Sequence, residues 1–408
     1  MNRTGFRQCR PPIQFAEFAA LLLLVSSIIR TGACLYLPAL PIIGENLGIS
    51  DADMTLTLTV YFIVFALFNL LCGPVSDAYG RRGLIVAGGL IFAIGSFFCG
   101  MAQSNGHLLT GRIIQAIGAS MIPGTSRAMI RDICSGIQVV SLMGWLGVLG
   151  ALMLVAAPIL GGVITETFGW RYNFWFLVIF SLAVELVMIA RIPETLSMDK
   201  RTRIGSVPIL PQYGRMLAAP EFLTVLLPVV FCFAFQGVYL AAAPFVFMKE
   251  FMLTPSQFGL SNIVIVVALT GGRYISVAAV KRSSAETAYT IGAAVILIAG
   301  LLFGLLLSAI WWNMYSLLTA VAFFSLGFGV ITPIGLKSSL TAFRDRSGMA
   351  SALQGFLVLG GTAVGSGCIT LIMNHFETVT PGSILSGCAL LLACLIILSI
   401  VAGRKALM

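Results

Sequence analysis

Twelve long apolar stretches, parted by short polar segments, dominate this 408-residue chain. They run over about 15–43, 54–75, 84–102, 108–130, 138–164, 170–190, 221–246, 257–280, 287–309, 311–336, 347–374 and 380–402. A helix that crosses a bilayer satisfies its own backbone and needs about 20 apolar residues, so each stretch is long enough to span. With 59% hydrophobic and 10% charged residues and a mean hydropathy of +1.02, the chain is too apolar for a water-soluble fold or for disorder. The expected class is an all-α, multi-pass membrane protein with 12 transmembrane helices embedded in the lipid bilayer. Arg3, Arg7 and Arg10 precede the first stretch as they would a secretory leader, but the stretch is too long for a leader's apolar core, and it reads as an uncleaved first span.

The cations set an orientation. If the N-terminus is cytoplasmic, 19 of the 24 Lys and Arg fall on the cytoplasmic side, among them Arg81, Arg82, Arg127, Arg131, Arg203, Lys281, Arg282, Lys337, Arg344, Arg346, Arg404 and Lys405. The outer segments keep Arg171 and Lys249, beside Glu45, Asp51, Asp53, Glu166, Glu250 and Glu377. Both termini are therefore expected in the cytoplasm. The net charge of +9 belongs to this asymmetry and not to a nucleic-acid surface, since no basic segment with interleaved aromatics lies outside the spans. The longest polar segment, 191–220, reads as a cytoplasmic linker between an N-terminal six-helix bundle (1–190) and a C-terminal one (221–408).

Several chemistries lack their residues. Most of the nine cysteines lie inside apolar runs without a CxxC pair and read as reduced packing residues. His107 and His375 are the only histidines, both expected in loops, so no metal site is expected. Neither a nucleophile–base pair nor a phosphate-binding GxxxxGK[ST] loop is present, so neither an enzyme nor a nucleotide-driven pump is indicated, and no cofactor is implied.

The two halves repeat. Tyr36-Leu37-Pro38-Ala39-Leu40-Pro41 in the first span matches Tyr239-Leu240-Ala241-Ala242-Ala243-Pro244 in the seventh, and the glycine-rich fifth span parallels the eleventh. A parallel repeat of two helical bundles suggests a carrier with its site near the midplane, between the halves. Between spans 2 and 3 stands Gly73-Pro74-Val75-Ser76-Asp77-Ala78-Tyr79-Gly80-Arg81-Arg82-Gly83, read as a tight turn that sets one carboxylate and two guanidiniums at a helix junction. Such charges can pair in one conformation and part in another.

That loop resembles the signature of the major facilitator superfamily. LLTGRIIQAIGAS (108–120) is similar to the family's span-4 motif of Arg followed by Gln, and GALMLVAAPILGG (150–162) to its span-5 antiporter motif. Tyr36 to Pro41, Arg131-Asp132, Gly169-Trp170-Arg171 and Pro193-Glu194-Thr195 resemble the Bcr/CflA-like branch of the twelve-span drug:proton antiporters. The resemblance implies two pseudo-symmetric six-helix bundles and a proton-coupled exporter of drugs or drug-like molecules, a monomer in a bacterial inner membrane working by alternating access. It implies that Gly73, Asp77, Gly80, Arg81, Arg82, Arg131 and Asp132 form a cytoplasmic gate latched near Ser347, and that Gly150, Pro158, Gly161 and Gly162 let span 5 bend and approach the other half. One departure stands out: many members of the branch carry Asp where this chain has Cys34.

Ionisable residues inside spans are costly and so are functional candidates. Four lie away from helix ends: Arg30, Arg112, Glu185 and Arg273. Each has a plainer reading too. Arg30 could pair between helices or face a central cavity; Glu185 and Arg273 could reach toward the cytoplasmic interface. Arg112 follows the family motif and is expected to serve coupling or the organisation of the core. Cys34, Tyr36, Gln115, Gln236 and Tyr239 complete the cavity candidates, the last four offering neutral hydrogen bonds. Three Arg against one Glu suit an anionic or zwitterionic solute, which leaves a dedicated carrier of one such metabolite as the alternative to drug efflux. For proton exchange, Glu185, Asp132 and Asp77 are the available carboxylates.

Overall fold

The computed structural model describes residues 15–201, 209–341, 343, 347–376 and 380–407. Arg3, Arg7, Arg10, Arg203, Arg344, Arg346 and Glu377 lie outside the described residues, as do the side chains of Ser347, Arg404 and Lys405. The first half comprises α1 (Phe15–Cys34), α2 (Leu40–Leu47), α3 (Asp51–Tyr79), α4 (Arg81–Gly100), α5 (Asn105–Ile133), α6 (Ile137–Thr167) and α7 (Arg171–Arg191). A short α8 (Ile209–Leu217) leads into α9 (Pro220–Phe245), α10 (Pro255–Arg282), α11 (Ala285–Leu306), α12 (Met314–Thr341), α13 (Ser347–His375) and α14 (Pro381–Leu407). Taken together, α1 and α2 make one span-length unit, which gives twelve such units among the described residues.

Eleven of the twelve are long and apolar enough to cross a bilayer. The exception is α5, which carries Arg112, Gln115, Arg127, Arg131 and Asp132. It is held by backbone packing instead. A side chain begun at Gly118 would strike the backbone of Gly88 and Phe92, and one begun at Gly95 would strike the backbone of Gln115. These glycines bring α4 and α5 close enough to enclose the polar residues of α5.

Local chemistry explains the breaks. The first span leaves α-helix after Cys34, passes through a 3-10 turn at Leu37–Ala39 and resumes as α2. Pro38 and Pro41 there remove two backbone donors. The repeated segment in α9 stays helical through Pro244 and then widens into a π-helical turn at Val246–Glu250. Gly73 and Pro74 lie within α3, so the expected tight turn is made by Gly80 alone, at φ +104° and ψ 158°, a conformation costly for any side chain. His107 and His375 sit in the first turn of α5 and the last turn of α13, not in loops. Within the linker, α8 turns Tyr213 and Met216 onto the bundle while Arg215 faces out.

The halves meet along two seams, α3 against α13 and α6 against α10. Near the end of the bundle that the cation distribution assigns to the outside, both seams are shut. Thr55 and Thr370 hydroxyls lie 2.8 Å apart, and Thr59 donates to Ser366 at 3.0 Å. On the other seam, positions 161–162 of α6 are pressed onto backbone: a side chain begun at Gly162 would strike Pro255 and Ser256 of α10, and one at Gly161 would strike Leu35 of its own half. The implied approach of span 5 to the opposite half therefore rests on Gly162, and on Pro158 and Ile159 against Gly259, whereas Gly161 serves packing within the first half.

Candidate functional site

A cluster of charges gathers around Arg81, the first residue of α4. Its guanidinium reaches Asp77 at 2.5 Å, Asp132 at 3.2 Å and the Ser76 hydroxyl. Thr195 donates to the same Asp132 oxygen at 3.1 Å. Glu194 completes the cluster, its carboxylate accepting from the backbone N–H groups of Arg81 at 2.9 Å and Arg82 at 3.3 Å. An anionic cap on unpaired amides at a helix N-terminus is favourable both as hydrogen bonds and against the helix dipole. Sequence reasoning noticed Glu194 only as part of a motif; its place beyond the linker's start hid the cap. Arg82 donates instead to the Ile189 carbonyl at 2.6 Å, and Arg131 points to solvent outside the cluster. Among the described residues, every partner of Asp77 and Arg81 belongs to the first half or the segment just after it. The implied latch to the start of α13 is not among these contacts.

Arg112 lies inside the first half with no exposed surface. Its guanidinium is sandwiched between the rings of Tyr36 and Tyr61, each centroid 4.2 Å away. It donates to the Gly32 carbonyl at 3.3 Å and to Gln115, whose amide in turn donates to Ser96 at 2.8 Å. No carboxylate neutralises it among the described residues; Cys34, buried one turn from Arg30, stands nearby. The two aromatic faces carry what a counter-ion otherwise would. This group is therefore a core element, closed off from the central cavity.

Glu185 is also interior, only 1% exposed, with neither carboxyl oxygen hydrogen-bonded among the described residues. It is pressed against Gly89 of α4, one turn along from Ser181, which donates to the Gly89 carbonyl at 2.8 Å. It thus faces the α4–α7 interface and not the midplane cavity.

The cavity itself lies mainly in the second half, between α9, α10 and α12, with Leu154 of α6 reaching it across the α6–α10 seam. A partly open pocket is walled by Leu154 of α6, Gln236 and Tyr239 of α9, Asn262 and Leu269 of α10, and Phe328 of α12. Tyr239 donates to the Asn262 carbonyl oxygen at 3.4 Å, and Gln236 has no hydrogen-bond partner among the described residues. The pocket is mostly apolar with a few convergent polar groups, the ordinary character of a small-molecule site. Of the nine cavity candidates, Gln236 and Tyr239 stand on its wall. Arg273 follows Leu269 by four residues on α10, and Gly150 precedes Leu154 by four on α6, facing Arg30. Cys34, Tyr36, Arg112, Gln115 and Glu185 lie elsewhere.

At the end of the bundle opposite the Arg81 cluster an ion pair bridges the halves: Lys249, after α9, donates to Asp51 of α3 at 2.7 Å. Glu166, closing α6, accepts from the backbone N–H of Ser256 in the first turn of α10 at 2.8 Å. Sequence reading counted these residues only as loop charges, because their pairing depends on how the halves dock. Both members of the Asp51–Lys249 pair are partly exposed, so it is worth less than about 1 kcal/mol. Asp51→Asn is therefore expected to raise maleimide labelling of a Thr370→Cys reporter by no more than about fivefold; a much larger rise would make this pair, and not the packed seam, the main outer closure.

The model of the family described as Major Facilitator Superfamily matches residues 21–366. The chain belongs to the major facilitator superfamily. A chloramphenicol resistance protein of Pseudomonas aeruginosa is 27% identical over 399 residues, covering 95% of this chain and 92% of that protein. The multidrug resistance protein MdtL of Klebsiella pneumoniae (strain 342) is 26% identical, covering 85% of each. Among solved structures, the human organic anion transporter MFSD10 superposes with a TM-score of 0.66 at 18% identity, over 95% of this chain and 100% of that one. At such identity the superposition speaks for the fold alone: this superfamily member has the two-bundle carrier architecture.

Proposed function

We propose that this carrier exports drugs or drug-like small molecules across the bacterial inner membrane by alternating access, in exchange for protons. The observation that carries the reading is the mostly apolar pocket between α9, α10 and α12, closed from the first bundle by Leu154 of α6, beside two bundles whose outer contacts are shut. A site at the interface of two rocking halves is what alternating access needs. The names of the relatives, a chloramphenicol resistance protein and a multidrug resistance protein, support drugs as the cargo. The bundles are 1–190 and 221–408, joined by the 191–220 linker, and both termini face the cytoplasm, as the placement of 19 of 24 cations supports. The Arg81 cluster acts at the cytoplasmic gate and Gly150, Pro158, Gly161 and Gly162 shape the moving helix. The protein works as a monomer.

For the proton, Asp77 and Asp132 are engaged with Arg81, and Glu185 is the intramembrane carboxylate without a partner among the described residues. Glu185 is accordingly taken as the coupling group. The test uses proteoliposomes loaded with a pH dye and given chloramphenicol. Wild type releases protons on drug addition. Glu185→Gln loses that release while chloramphenicol exchange continues, because the cavity is untouched. Unchanged proton release in Glu185→Gln removes Glu185 from coupling, and chloramphenicol movement without any proton flux removes antiport itself.

A further inference from the structure

Two guanidiniums, one from each half, stand at the α6–α10 seam just inward of the pocket. Arg30 is 17 residues from the end of the first span at Leu47, and Arg273 is 18 residues from the start of α10 at Pro255, so the two stand at matching depth. On α10, Asn262, Ile265 and Leu269 line the pocket and Arg273 continues the same helical stripe one turn further. On α6, Leu154 lines the pocket, and a side chain begun one turn earlier, at Gly150, would lie 3.7 Å from Arg30 Nε. Neither guanidinium forms a hydrogen bond or ion pair among the described residues.

No protein carboxylate is placed to balance them. The described Asp and Glu residues lie near helix ends or in connecting segments, with the exception of Glu185, which is turned into the α4–α7 interface. Cys34, one turn along α1 from Arg30, places no carboxylate beside it. Two unpaired cations at the midplane are expensive and serve no packing purpose, since Arg30 is exposed and Arg273 only half-buried. Guanidiniums in a partly dehydrated cavity are strong, geometrically selective partners for carboxylate, sulfonate or phosphate oxygens.

We propose that the cavity takes amphiphilic organic anions, with the anionic group held between Arg30 and Arg273 and the apolar body seated in the pocket beside Gln236, Tyr239 and Phe328. This names the cargo class of the carrier proposed above and rests on that reading. It has a mechanical consequence. The empty cavity keeps two like charges on opposing halves, and an anion between them turns repulsion into attraction, so closure of the inner side is favoured when cargo is bound.

The test uses two dyes built on the same xanthene ring, 6-carboxyfluorescein as the anion and rhodamine 6G as the cation, with binding to the purified full-length protein read by fluorescence polarisation. Carboxyfluorescein is expected to bind saturably and more tightly than rhodamine 6G. Arg30→Gln and Arg273→Gln should each weaken it about tenfold, while Arg30→Lys and Arg273→Lys keep most of the affinity and all four variants keep the wild-type melting temperature. Equal or tighter binding of rhodamine 6G, or unchanged carboxyfluorescein binding in both Gln variants, overturns the proposal. Chloramphenicol flux in the same preparation reports separately on the carrier reading: flux without carboxyfluorescein binding ends this inference and leaves the exporter standing.

Discussion

Gly162→Val is expected to abolish transport while leaving the protein folded and in the membrane. The side chain would begin against the carbonyl and carbonyl carbon of Pro255, about where α10 starts, and 2.7 Å from the Ser256 Cα. All three atoms are backbone, so no side-chain rotation relieves the clash. The remaining adjustment is for α10 to move away from α6, which opens the outer seam. A carrier that cannot shut its outer side cannot expose cargo to the inside alone, so flux stops. The same opening should raise labelling of a Thr370→Cys reporter, because the Thr55–Thr370 contact closes the companion seam. Gly144→Val is the control: its side chain would meet nothing within 4 Å, so transport should continue. Flux at wild-type level in Gly162→Val would show that the α6–α10 approach is not part of the cycle.

The second large effect concerns the buried cation. Tyr61→Ala should destabilise the first half by about 3–5 kcal/mol, adding the cost of an aromatic-sized cavity to that of baring a buried charge. Tyr61→Phe should cost far less, since the Tyr61 hydroxyl has no hydrogen-bond partner among the described residues and the ring face, 4.2 Å from the Arg112 guanidinium, is retained. Thermal unfolding in detergent separates them: a clear fall in midpoint for Tyr61→Ala and a small one for Tyr61→Phe. Equal losses would shift the role from the ring to the hydroxyl.

The spans were legible because twenty apolar residues have few other uses, and even α5 could be read from its position between two clear spans despite its Arg and Asp content. Helix ends and interruptions were not. The 3-10 break after Cys34 and the π turn after Phe245 come from similar proline-bearing segments, and only their packing decides which form each takes. At the site, hydropathy flagged Arg30, Arg112, Glu185 and Arg273 alike as intramembrane charges. It could not say which way each pointed, because every face of a spanning helix in this chain is largely apolar. Packing divides them: Arg112 into a two-tyrosine sandwich, Glu185 onto Gly89, Arg30 and Arg273 toward the seam. The Glu194 cap and the Asp51–Lys249 bridge were hidden for another reason. Each joins segments more than a hundred residues apart, so no local pattern announces them.

The central claim is that the outer seam must open and shut in every cycle. Thr55 and Thr370, whose hydroxyls are 2.8 Å apart across that seam, offer the direct measurement. With both changed to cysteine in an otherwise cysteine-free protein, oxidation should join the halves at the outer end and stop chloramphenicol flux in proteoliposomes, and reduction should restore it. Continued flux with the cross-link intact would contradict alternating access through this seam.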